Sequence, residues 1–364
     1  MSLVAFLAEM PKVELHVHLE GAMRPSTLLA LARRNRVELP ASDLDGLRHW
    51  FEFRDFDHFV SVYVACSEVL REPEDFERLV LDFLEEQARQ HILYSEVHFT
   101  ISTHVARGLD GDEVLEALDA GRRLGRERFG ADLTLIPDIV RNMPVDRADV
   151  TLAWALEARS RGLAVALGLS GVEAGFSDRP FQEHFERATR EGLHRVVHAG
   201  EQAGPKSVRS ALEVLGAERI GHGVRAVEDP DLVAELAARR IPLEVCPTSN
   251  LRLGVFPDLE SHSFDRLHRA GVQLSVGSDD PSLFNTTLTC EYRKLARTFG
   301  YPAEELAGFA LAGLRQSFLP AARKTVFEEE LKRRFRELGE RHLGRPVEPA
   351  VEASYLERVS SPSP

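Results

Sequence analysis

The chain has 364 residues, enough for one large domain or two ordinary ones with a sizeable core. A hydrophobic content of 43% and a charged content of 28% fit a soluble globular enzyme, and a net charge of −13 argues against nucleic acid, which wants a basic surface. Three widely spaced cysteines, Cys66, Cys246 and Cys290, suggest neither a disulfide framework nor a thiolate zinc knuckle, and no stretch approaches the ~18 apolar residues of a membrane span, so a cytoplasmic protein without a membrane partner is expected.

Near the N-terminus Val13, Leu15 and Val17 alternate with Glu14, His16 and His18, the period of a β-strand, which puts His16 and His18 on one side at the strand's end. Gly21 breaks the strand, and a helix is predicted over 25–34. Residues 35–47 form a short polar segment around Pro40. Phe51, Phe53, Phe56, Phe59, Val60 and Tyr63 form an aromatic helical patch, read as core or lid packing rather than substrate contact. From Pro73, an i, i+3, i+4, i+7 stripe of Phe76, Leu79, Val80, Phe83, Leu84 and Ala88 predicts a long amphipathic helix.

Beyond it, strands are predicted over 92–100, 133–140, 163–170, 194–198, 219–223, 241–246 and 272–277. Helices are predicted over 112–129, 146–161, 180–191, 207–215, 230–240 and 264–270, with more helices running to about Leu343. With the opening strand this makes eight strands separated by helices, and the expected fold is α/β, a (β/α)8 TIM barrel with additional helices, in a single domain over 1–343. A doubly wound sheet would need a Gly-x-Gly-x-x-Gly phosphate turn, which is absent. Residues 344–364, with four prolines and Ser-Ser-Pro-Ser-Pro at the end, read as a flexible tail.

The conspicuous polar residues fall at the C-terminal ends of the predicted strands, which converge on one mouth of a barrel. Strand five ends His198-Ala199-Gly200-Glu201, strand six carries Gly221-His222-Gly223, and strand eight ends Ser278-Asp279-Asp280-Pro281. A zinc ion takes nitrogen and oxygen ligands and lowers the pKa of a water to ~7. His16, His18, His198 and Asp279 can supply the ligands, Glu201 is placed to move a proton, and His222 and Asp280 remain to orient water and substrate. Each has a plainer explanation when taken singly: a core histidine, a loop acid, or an Asp279-Asp280 helix cap beside Pro281. Their joint placement at strand ends favours the metal site. His49, His58, His91, His104, His184, His194, His262 and His268 show no such placement and read as surface or packing residues.

Six spaced motifs make the chain resemble the adenosine/adenine deaminase family of metal-dependent amidohydrolases. They are Glu14-Leu15-His16-Val17-His18-Leu19-Glu20-Gly21, Gly168-Leu169-Ser170-Gly171-Val172-Glu173, His198-Ala199-Gly200-Glu201, Arg219-Ile220-Gly221-His222-Gly223, Cys246-Pro247-Thr248-Ser249-Asn250 and Ser278-Asp279-Asp280-Pro281. The resemblance implies one Zn2+ per chain on His16, His18, His198 and Asp279, and an aminopurine as the small-molecule partner. It implies that Glu201 protonates purine N1, that His222 and Asp279 hold and deprotonate the water attacking C6, that Asp280 bonds N7, and that the Gly171 N–H meets N3. Glu20 stands where nucleoside-specific members usually carry an Asp that meets the ribose 5′-hydroxyl, and Gly168 replaces an acid common in the adenosine group. The expected reaction is hydrolytic loss of the 6-amino group, from adenosine, adenine, or a modified or larger aminopurine. Two alternatives are weaker. A two-metal hydrolase would want a carboxylated lysine near position 140, where Arg141 and Asn142 stand, and a non-catalytic binding protein would have lost a ligand or the glutamate.

Overall fold

In the computed structural model, which describes residues 2–350, the apolar runs of the sequence form eight strands. They are β1 (Lys12–His18), β2 (Ile92–Phe99), β3 (Asp132–Val140), β4 (Ala166–Ser170), β5 (His194–Ala199), β6 (Arg219–His222), β7 (Leu243–Val245) and β8 (Leu274–Val276). They pair in parallel in sequence order. β1 meets the chain just beyond β8, where the His18 N–H donates to the Asp279 carbonyl at 2.8 Å and the Asp279 N–H to the His16 carbonyl at 3.1 Å. That seam closes the sheet into the expected (β/α)8 barrel. Gly277 permits it: a Cβ there would stand 2.7 Å from the His16 carbonyl oxygen and 2.9 Å from Cys246 Sγ.

All seven residues of β1 are buried, so its alternation sorts chemistry between two covered faces rather than between core and water. The alternation is also interrupted. Between Glu14 and Val17 the register with β2 slips, because Glu14 pairs with Ser95 but Val17 with Val97. With this bulge Glu14 leaves the histidines and takes hydrogen bonds from Gln87, on the helix Pro73–Arg89, and from Ser278. That helix packs on the next one, Gly111–Phe129, through Gly121 and Gly125, where a Cβ would meet the Glu77 carbonyl at 2.8 Å and Leu84 at 2.5 Å.

Five helices that the periodicity did not suggest, Leu3–Glu9, Leu44–Trp50, Ile101–Ala106, Pro247–Arg252 and Pro281–Phe284, have only four to seven residues. So short a segment completes too few turns for a 3.6-residue stripe to register. The start of the expected tail departs from a loose attachment. Val347 is fully buried, Arg336 pairs with Glu348 at 2.6 Å, and the Ala350 N–H donates to the Glu304 carbonyl at 2.8 Å. The remainder of that tail, 351–364, lies outside the described residues. No helix among the described residues is long and apolar enough to cross a membrane.

Inside the barrel a buried charged chain ties three strands together. Arg219 on β6 donates to Glu96 on β2 at 2.5 Å and to Glu244 on β7 at 2.6 Å, and its guanidinium lies 3.9 Å from the centre of the Phe318 ring. Removing the arginine would leave two buried carboxylates without their cation. Arg219→Met is therefore expected to lose about 3–5 kcal/mol of stability, read from the urea midpoint. A loss below 1 kcal/mol would mean that the network does not brace the barrel.

Candidate metal centre

The strand ends bring His16 and His18 from β1, His198 from β5, His222 from β6, and Asp279 and Asp280 from just beyond β8 into one buried cluster. His18 Nε2 stands 3.2 Å from His198 Nε2 and 3.3 Å from Asp279 Oδ1, and His16 Nε2 stands 3.6 Å from the same oxygen. Ligands held about 2.0–2.2 Å from a tetrahedral zinc are spaced roughly 3.3–3.5 Å apart. These three separations lie close to that spacing. Ligand atoms of His16, His222, Cys246 and Asp279, and of His16, His98 and His198, also gather within 4.8 Å of one another, and His16 Nε2 is buried with no hydrogen-bond partner of its own.

Each imidazole is aimed from behind. His16 Nδ1 lies 2.8 Å from Glu244, the carboxylate braced by Arg219, and His198 Nδ1 lies 3.0 Å from the Leu169 carbonyl. Such contacts fix the tautomer and leave Nε2 as the free lone pair. Gly221 makes room for the first ring, since a Cβ there would come within 2.8 Å of His16 Cε1. His222 and Asp279 both hold positive φ, 62° and 64°. A backbone in that region is uncommon for any residue with a Cβ, and it persists where the surroundings over-determine it.

Burial keeps His18, His198 and His222 neutral, while the carboxylates draw positive charge onto His16. Burial opposes charge on His16, but the Asp279 and Glu244 carboxylates outweigh it and lift its pKa to about 10. Burial drives His18 down to about 4 and His222 to about 3, and pushes His198 well below the usual range. For Asp279 burial acts upward, yet the surrounding histidines hold it below the ordinary carboxylate value. The pocket thus draws one positive charge to the edge of Asp279, where His18 and His198 present unprotonated nitrogens.

Glu201 sits beside this cluster, with Oε1 buried, unpartnered and 3.7 Å from His222 Nε2. Burial, Asp279 and Glu173 together raise its pKa to about 8, so it carries a proton at neutral pH. Its loop is gathered on Glu173, whose carboxylate accepts the N–H groups of Gly200, Glu201, Gln202 and Ala203 at 2.6, 3.1, 2.7 and 2.8 Å. Glu173 closes the motif Gly168–Glu173, and its role as this clasp shows only in the fold, where its carboxylate is buried beside the turn.

Asp280 occupies the N-cap position of Pro281–Phe284 but makes no capping bond, so the helix-cap explanation fails. Its Oδ1 is buried and unpartnered and depends on Gly21, where a Cβ would fall 1.7 Å from it. Gly171, at φ 88°, turns the end of β4 toward the cavity. Glu20 also lines the cavity. One of its oxygens is taken by the Thr100 N–H at 3.0 Å and by His104 at 3.3 Å, and the other is left free.

Two of the histidines assigned to surface or packing therefore reach the site indirectly: His104 through Glu20, and His262 through Asn250, which lies 3.3 Å from His222 Nδ1. His98, which the sequence reading passed over, lies among the rings of His16, His18 and His198, each with its centroid 4.8–4.9 Å away. Cys246 offers a sulfur within 4.8 Å of ligand atoms on His16, His222 and Asp279. Burial pushes its thiol well up in the absence of a metal.

The cavity above the cluster opens to solvent, and its outer wall is apolar. Phe56, Phe59, Val60, Tyr63 and Val64, all on the helix Phe56–Ser67, form one side. The aromatic patch packs as expected, with Phe59 stacked on Phe284 at 5.1 Å, but the same residues also face whatever the cavity holds.

A closed barrel with histidines and an aspartate at its strand ends defines a metal-dependent hydrolase. A family profile described as adenosine deaminase matches residues 11–334, and the chain belongs to that family and is a deaminase. It is 40% identical over 329 residues to an aminodeoxyfutalosine deaminase from Streptomyces coelicolor, covering 90% of this chain and 85% of that one. Among solved structures, an adenine deaminase from Arthrobacter aurescens superposes with a TM-score of 0.84 at 33% identity, covering 89% of this chain and 98% of that one. An amidohydrolase from Burkholderia ambifaria with bound zinc superposes at 0.87 with 26% identity, covering 94% and 96%.

Stripping divalent metal with a chelator and then restoring zinc is expected to raise the melting temperature. With free zinc at 1,000 times its Kd the gain is about 4 kcal/mol. A melting curve indifferent to zinc would count against the metal centre.

Proposed function

We propose that the chain hydrolytically removes the 6-amino group of an aminopurine whose N9 substituent is bulky and carries an apolar part. The observation that carries this reading is the apolar wall of Phe56, Phe59, Val60, Tyr63 and Val64 above a polar floor that includes the proposed ligands His18, His198 and Asp279. The lining residues include no lysine or arginine, and Glu20, Glu201, Asp279 and Asp280 are acidic. No lining side chain would therefore pair with a phosphate buried close to the 6-aminopurine, which disfavours a nucleotide.

In this reading His16, His18, His198 and Asp279 hold one zinc ion per chain. When bound, the ion supplies Lewis acidity and a water ionisable near neutral pH. Glu201, protonated in its buried setting, donates to purine N1 and so makes C6 more electrophilic. His222, kept neutral by burial, and Asp279 orient the water and take its proton as its oxygen bonds to C6. That proton passes to the departing amine, the C6–N6 bond breaks and ammonia leaves, while the C6 hydroxyl gives its proton back to Glu201 and leaves a 6-oxopurine protonated at N1. Asp280 bonds N7, the Gly171 N–H meets N3, and the free oxygen of Glu20 faces the N9 substituent.

General acid–base help of this kind is worth about 10²–10⁴ in rate. Glu201→Gln is expected to cut kcat/KM for ammonia release by that factor, about 10²–10⁴, while zinc content stays unchanged. Near-normal turnover in that variant would remove the proton-donor role. Offered adenine, adenosine, adenosine monophosphate and aminodeoxyfutalosine side by side, the zinc-loaded protein is expected to favour aminodeoxyfutalosine and to neglect the monophosphate. A preference for free adenine would overturn the assignment of the apolar wall.

A further inference from the structure

Asp138 and His98 form a buried pair against the metal centre, and neither belongs to the proposed ligand set, although ligand atoms of His98, His16 and His198 lie within 4.8 Å of one another. His98 Nδ1 lies 2.9 Å from Asp138 Oδ1, and both side chains are fully buried. The other oxygen, Asp138 Oδ2, accepts no hydrogen bond and stands 3.8 Å from Nδ1 of His18, with Ser170 close to the same carboxylate. His16 and His198 each have a partner within 3.0 Å behind the ring. His18 has none so near, and Asp138 is the acid facing its Nδ1.

The neighbouring strand is shaped around this carboxylate. Asp138 on β3 and Gly168 on β4 are directly paired, and a Cβ at Gly168 would fall 1.9 Å from Asp138 Oδ1. Only glycine at 168 lets the carboxylate lie flat against the β4 backbone and reach the interior. The acid missing from position 168 thus has its space filled from one strand over, at the same height in the barrel.

We propose that Asp138, held by His98, is a positioning residue that orients His18 through Nδ1 and so tunes its grip on the metal. The inference rests on reading His18 as a ligand. Its physical basis is the usual one: a metal-bound imidazole donates its second N–H to a carboxylate or carbonyl, which fixes the ring and raises its basicity. His98 supplies the complementary constraint, since it pins one oxygen of Asp138 and leaves the other for His18. The ring of His98 stacks on that of His18 at 4.9 Å, which restricts how far His18 can swing.

The test measures zinc affinity by chelator competition, with kcat and KM at saturating zinc alongside. Asp138→Asn is expected to weaken zinc binding about 10–100-fold and to leave KM near the parent value. Because Asp138 is buried, a second variant guards against simple misfolding. Asp138→Gly combined with Gly168→Asp returns one carboxylate to the same height from β4, and is expected to bind zinc more tightly than Asp138→Gly alone, whereas Gly168→Asp alone should clash and destabilise the barrel. His18→Ala is the control for the ligand reading. If His18→Ala loses zinc while a folded Asp138→Asn binds it as tightly as the parent, the positioning role is wrong. If Asp138→Asn fails to fold, a folded double variant no tighter than Asp138→Gly overturns it instead. If His18→Ala itself keeps zinc affinity, the ligand assignment fails rather than the orientation.

Discussion

The site depends first on how the barrel closes. Two backbone hydrogen bonds join the start of the chain to its last strand, and their partners are His16, His18 and Asp279. The same peptide groups that seal the sheet thus set the positions of three proposed ligands, separated by more than 260 residues of sequence. The left-handed backbone of Asp279 and the bare Cα of Gly277 belong to the seam as much as to the chemistry. Fold stability and ligand geometry are therefore not separable here, and a change that loosens the seam would blur the metal site before it unfolded the domain.

Around the seam the protein stores charge in layers. Arg219 neutralises Glu96 and Glu244 below the site, and Glu244 in turn aims His16. Above it, Asp279 faces neutral imidazoles, and Glu201 is raised to about 8 by burial and by Asp279 and Glu173. Two carboxyl groups in one pocket are thus pushed in opposite directions, one kept ionised beside the histidines and one kept protonated. Such divergence separates a group that binds from a group that delivers a proton.

Much of this arrangement was legible in the sequence because the chemistry sits at strand ends and the strands are strongly patterned. His16, His18, His198, His222, Asp279 and Asp280 each follow or close an apolar run, so the barrel topology alone carries them to one mouth. What escaped did so for identifiable reasons. The bulge in β1 is a pairing property, so the alternation of Glu14 with His16 could not reveal that Glu14 turns away. His98 sits inside an apolar strand and resembles any packed histidine until its neighbours on three other strands are known. The aromatic patch was half legible: its hydrophobicity announced burial, but only the curvature of the helix Phe56–Ser67 over the mouth turns the same side chains into a wall for substrate. His104 and His262 are packed residues as expected, but their contacts to Glu20 and Asn250 join residues that are far apart in sequence or act through an amide, which no local pattern shows.

The most direct measurement of the central claim is anomalous diffraction at the zinc edge from crystals of the reconstituted protein. One strong peak per chain is expected, bonded to Nε2 of His16, His18 and His198 and to a carboxylate oxygen of Asp279, with Glu201 and His222 nearby but unbonded. A peak on His98 or Cys246, or two peaks sharing the mouth, would contradict it.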